Sequence, residues 1–163
     1  MSALLASLKD SIAAGSFDSE TANAFVDQPE LGASALDRLQ HITTTLIQQG
    51  SAAQVAAAIN YLTRLSCYLS EEKLPSWLPF ILHALERSHE VVIEKPLQAL
   101  CQELAPRYKM FTDVFLERFV SSMGTSRPIE QSIVLLCQHH RSKVRYKRRF
   151  LSALGFQSAN RTL

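Results

Sequence analysis

The sequence predicts an all-α protein of about nine helices in antiparallel hairpins, built as a short α-solenoid or as a compact helical bundle. Three observations predict it. Apolar residues recur at i, i+3, i+4 and i+7 in one segment after another, and no segment alternates with the period of two that a half-buried strand needs. Only 5 Gly and 6 Pro occur in 163 residues, too few for an all-β fold built on many turns. Apolar residues make up 47% of the chain and charged residues 20%, which suits a folded domain with a sizeable core. That domain is expected over residues 1–155, with 156–163 (FQSANRTL) as a tail.

The first helix carries Leu4, Leu5, Leu8 and Ile12, with Ser2 as its expected cap and Gly15 as its stop. Asp18 is placed to cap a short second helix through Ala22, Phe25 and Val26, ended before Pro29. A third is expected from about Ala33, with Leu36, Leu39, Ile42, Leu46 and Ile47 on one side and Gly50 as its stop. Ser51 and Gln54 have capping-box spacing and open a fourth through Val55, Ala58, Ile59, Leu62 and Leu65. Ser76 is the expected cap of a fifth, with Pro79 in its first turn and Trp77, Phe80, Ile81, Ala84 and Leu85 on its buried face. A sixth covers roughly Val91 to Leu104, started late or kinked by Pro96. A seventh is expected from Pro106 to Met123. An eighth has Pro128 in its first turn and Ile129, Ile133, Leu136 and Cys137 inside. Ser142 is placed to cap a ninth, which Gly155 ends.

A weak internal repeat accompanies these helices. Pro75-Ser-Trp77-Leu-Pro-Phe80, reaching Leu85-Glu86-Arg87, aligns without gaps on Pro106-Arg-Tyr108-Lys-Met-Phe111, reaching Leu116-Glu117-Arg118. Leu100-Cys101-Gln102 recurs as Leu136-Cys137-Gln138. Successive hairpins with a pitch of about 33–37 residues would stack in a HEAT- or TPR-like manner, each burying its face on its neighbours. The signature residues of those repeat families do not occur in order, and a bundle with short loops gives a similar period.

Charge is distributed unevenly. Residues 1–100 hold 6 Lys/Arg against 11 Asp/Glu, and residues 101–163 hold 11 against 4, a net of −5 beside a net of +7. No acidic residue follows Glu130. The basic residues concentrate in Arg141, Lys143, Arg145, Lys147, Arg148 and Arg149, with Tyr146 among them. On a helix Arg141, Arg145 and Arg148 share a stripe, while Val144, Phe150, Leu151 and Leu154 give that helix an apolar side. Such a face fits nucleic-acid phosphates, with Tyr146 free to stack on a base. It fits equally an acidic protein surface, including the acidic half of a second copy and hence a homo-oligomer. Arg107, Lys109 and Arg127 are the expected extensions of the same surface. A solvated helix end favoured by the helix dipole is the bland alternative.

Catalytic and metal motifs are weak. Cys137 and His140 stand at i, i+3, but zinc normally takes four ligands and no second pair is spaced to complete the set. Cys137, His140, His83 and His41 are scattered along the chain. Glu86 and Glu117, each followed by Arg, fit ion pairs or solvated faces better than acid–base chemistry. The glycines form no phosphate-binding loop. The sequence therefore predicts no enzyme, no metal and no cofactor. Cys67 and Cys101 are expected as buried thiols.

Three cysteines, with no basic leader ahead of the first apolar run, predict reduced thiols and a cytoplasmic, or else nuclear, protein. No apolar run approaches the roughly 18 residues of a membrane span. The longest charge-free stretch, Leu39 to Thr63, holds Gln48, Gln49, Gly50 and Ser51 in its middle. Its outward positions are expected at Gln40, Thr43, Thr44, Gln48, Gln54 and Asn60, a small uncharged face suited to a partner or to internal packing. The functional expectation is a non-enzymatic helical interaction module, or adaptor, whose cationic C-terminal helix docks an acidic partner. The alternative is a nucleic-acid-binding accessory protein that uses the same residues.

Overall fold

The computed structural model describes residues 2–88, 90–104 and 107. They form six α-helices and one 3₁₀ turn, with no strand among them: α1 (Ser2–Ala13), α2 (Ser19–Val26), α3 (Pro29–Gln49), α4 (Ala52–Leu65), the 3₁₀ turn Ser66–Tyr68, α5 (Leu74–Glu86) and α6 (Val91–Leu104). The helical class is as the sequence predicts. The expected seventh, eighth and ninth helices, and the tail, lie outside the described residues.

The ends of the helices follow from local chemistry. Gly15 takes φ +68°, the left-handed conformation that ends α1. Its N–H reaches the Ile12 carbonyl at 2.9 Å and the Ser16 N–H reaches Ser11 at 2.9 Å, a Schellman pair. Ser2, expected as the cap of α1, lies within the helix. Ser51 Oγ accepts the Gln54 N–H and Gln54 Oε1 accepts the Ser51 N–H, completing the capping box of α4.

Asp18 caps α2 by accepting from the N–H groups of Glu20 and Thr21 and from the Thr21 hydroxyl. The Thr21 hydroxyl bond, followed by the backbone bonds, holds the Asp18 carboxyl below its ordinary pKa of 3.8, although burial opposes the shift. Because the folded pKa is the lower one, this stabilisation is present above pH 3.8 and is lost as pH falls through the folded value. Asparagine caps about as well as aspartate but carries no charge. Asp18→Asn is therefore expected to flatten the acid limb of a plot of thermal midpoint against pH. An unchanged acid limb would contradict this role for Asp18.

Three helix starts or ends differ from the sequence expectation. α3 begins at Pro29, not near Ala33, because proline is pre-set for the first helical position and loses no needed N–H there. The residue that stops α2 thus also starts α3. Gly50 does end α3, but at φ −71° and ψ 137°, so it is not a left-handed cap. α5 begins at Leu74 on a turn in which the Leu74 N–H reaches Ser70 O at 3.0 Å. Ser76 consequently lies inside the helix, its hydroxyl donating back to Lys73 O at 2.6 Å, and Pro79 falls in the second turn. α6 starts at Val91, with Pro96 inside it.

Packing places α4 at the centre. It contacts α1, α2, α3 and α6, the last most extensively. Residues Val55 to Ile59 are all buried, and at 100° per residue that run covers every side of the helix. Ala56, Ala57 and Ala58 keep the neighbouring helices close. Around α4 the contacts alternate: α1 meets α3 and α3 meets α5, while α2 meets α4 and α4 meets α6. One continuous apolar cluster, from Leu8 through Phe25, Leu39, Ile59, Tyr61 and Trp77 to Leu104, fills the space between. The expected α5 stripe of Trp77, Phe80, Ile81, Ala84 and Leu85 is buried throughout.

Polar contacts between distant segments of the helical body recur at a similar sequence separation. Gln54 Nε2 donates to Ala13 O at 2.9 Å, 41 residues away. Arg87 Nη1 donates to Gly50 O at 2.7 Å across 37 residues, and Tyr68 Oη to Val26 O at 2.5 Å across 42. The Tyr61 hydroxyl accepts the Asp18 N–H at 3.2 Å across 43.

Candidate functional site

Of the residues expected in the cationic surface, Arg107 is described. Arg141, Lys143, Arg145, Tyr146, Lys147, Arg148, Arg149, Lys109 and Arg127 lie outside the described residues. Arg107 follows α6 on an exposed turn. Its Nη2 pairs with Glu103 Oε1 at 2.8 Å, and Nη1 donates to Ser66 Oγ at 3.5 Å. It therefore ties the end of α6 to the 3₁₀ turn.

Other cations of the helical body are engaged internally as well. Arg87 grips Glu90 through Nε at 2.6 Å and Nη2 at 3.1 Å while bonding Gly50 O. Arg64 donates to Asn23 Oδ1, and Lys73 pairs with Asp37 at 3.4 Å. Glu86 is exposed, so the ion pair of this turn joins Arg87 to Glu90.

The acidic residues are less fully matched. At one end of the helical body the start of α1 meets the α2–α3 corner, and Tyr68 of the 3₁₀ turn reaches the same corner. Asp27 and Glu30 are exposed at that corner, and Glu71 and Glu72 are exposed in the linker that follows the 3₁₀ turn. None of these four forms an ion pair among the described residues. Tyr68 fastens this end, its hydroxyl donating to Val26 O and, at 3.3 Å, to Phe25 O. Loss of water contact raises the Tyr68 pKa, and the Cys67 and Asp27 charges raise it further. An open groove of about 650 Å³ lies at the corner, lined by Leu4, Asp27, Gln28, Pro29, Glu30 and Leu31. Sequence reasoning missed this groove. Its signal was two carboxylates flanking a proline that reads simply as a helix stop.

The uncharged face expected between Leu39 and Thr63 is narrower than predicted. Thr43 is buried, its hydroxyl bonded to Gln40 O at 2.7 Å. Gln54 is committed to the capping box and to Ala13. Thr44 and Gln48 remain exposed. Cys67, expected to be buried, is exposed because it stands on the 3₁₀ turn rather than on a core-facing helix, whereas Cys101 is buried as expected.

Among the described residues no three His, Cys, Asp or Glu side chains are grouped to hold a metal ion. His41 is exposed on α3, and His83 is half-buried on α5. Cys137 and His140 lie outside the described residues. No helix among those described is long and apolar enough to cross a membrane. Comparison with protein-family models, with curated proteins and with solved structures finds no match for this chain.

Proposed function

We propose that the protein is a non-enzymatic helical interaction module, a short α-solenoid whose cationic segment Arg141–Arg149 docks an acidic protein surface, with Lys109 and Arg127 extending the contact. The observation that carries this reading is the separation of charge. The helical body spends Arg64, Lys73, Arg87 and Arg107 on internal partners and leaves the separate cations Lys9, Arg38 and Lys95 exposed among the described residues. Arg141–Arg149, by contrast, holds six cations in a stretch with no acid after Glu130. Dense like charge without local compensation gains most when an anion covers it. The alternating helix contacts and the recurrent separations of 37 to 43 residues support the solenoid.

A polyglutamate peptide, a single-stranded oligonucleotide and a duplex, each fluorescently labelled, test the reading by titration with the full chain. Polyglutamate is expected to bind more tightly than either nucleic acid at about 0.1 M salt and to weaken as the screening length shortens. Tighter, salt-steep binding of the oligonucleotides would instead favour the nucleic-acid reading, in which Tyr146 stacks on a base. No binding of any probe at low salt would remove both.

A further inference from the structure

We infer that the α2–α3 groove is the docking site for Arg141–Phe150 of a second copy of this chain, so that the protein self-associates head to tail. The inference rests on the reading above and names the acidic surface. Leu4 and Leu31 give the groove an apolar floor, and Asp27 and Glu30 give it an acidic rim. Glu71 and Glu72 stand exposed three and four residues after Tyr68, whose hydroxyl bonds to the end of α2 beside the groove. The occupant's sequence is complementary: Arg141, Lys143, Arg145, Lys147, Arg148 and Arg149 supply the opposite charge, and Val144 and Phe150 the apolar groups.

Whole copies approach with little net repulsion, because each carries only +2 overall, while the local −5 and +7 halves attract. The two contacting surfaces belong to different parts of the chain, so the interface is heterologous and adds copies in sequence unless the rotation closes a ring.

Sedimentation velocity of the full chain tests this. At about 0.1 M salt the mass is expected to rise with concentration above the 18.2 kDa of one chain, and at about 1 M salt, where screening reaches ~3 Å, to return to it. Asp27→Asn with Glu30→Gln in one variant, and Arg145→Glu with Arg148→Glu in another, each leave the protein monomeric alone. Mixed together they form a 1:1 heterodimer and nothing larger, because only one intact groove meets one intact cationic segment. Thermal midpoints close to wild type show that both variants are folded.

A wild type that stays monomeric at every concentration overturns the inference, as does self-association untouched by the groove variant or a failure of the two variants to pair. If the groove was instead filled by the chain's own segment, the wild type would be monomeric, which is also an overturning result. Polyglutamate binding separates the two claims. Retained polyglutamate binding by a wild type that does not self-associate removes this inference and leaves the proposed function standing.

Discussion

Trp77→Ala is expected to lower the unfolding free energy by about 3–5 kcal/mol, the usual cost of removing a large aromatic from a core that cannot close around the void. Trp77 is 1% exposed and heads the buried stripe of α5. That helix reaches the body through α3 and α6, so a void at Trp77 loosens the hold of α5 on the rest of the core. For a chain of this length the thermal midpoint should fall by roughly 10 °C. Denaturant unfolding followed by circular dichroism measures it. A loss below about 1 kcal/mol would mean that α5 is not packed as described.

Gly32→Ala is expected to cost about 1–3 kcal/mol although it adds a single methyl group. A Cβ at this position would lie 2.2 Å from Tyr68 Cε2 and 2.7 Å from the Phe25 carbonyl oxygen. The ring can swing away only by giving up the hydroxyl bonds to Val26 and Phe25 that fasten the 3₁₀ turn to α2. The Phe25 oxygen is backbone at the end of α2 and moves only with the helix. The cost of Gly32→Ala should shrink in a Tyr68→Ala background but not vanish, since the carbonyl clash remains. A full, undiminished cost in that background would show that Tyr68 is not the obstructing group.

Local signals made much of this fold legible. Asp18 before Ser19-Glu20-Thr21, and Ser51 three residues before Gln54, mark helix starts because the cap bonds are made within a few residues. The α5 stripe is legible because periodicity alone decides which face is buried. What escaped depended on distant partners or on residues with two roles. Pro29 reads as a stop because proline cannot continue α2, and the same ring geometry starts α3. Gln54 reads as an outward polar residue because its second partner, Ala13 O, is 41 positions away. Thr43 reads as surface because a hydroxyl that bonds its own helix at Gln40 O can be buried at little cost.

The charge split of the candidate site was legible by counting. The groove was not, since it exists only where Leu4 of α1 meets the turn between α2 and α3.

The proposed function stands most directly on one comparison: the affinity of Arg145→Glu with Arg148→Glu for polyglutamate, against wild type at the same salt and with matched thermal midpoints. If the cationic segment is the docking surface, the double variant binds about tenfold more weakly or worse, a loss of about 1.4 kcal/mol or more. Equal affinity in a variant that melts with the wild type would contradict the account.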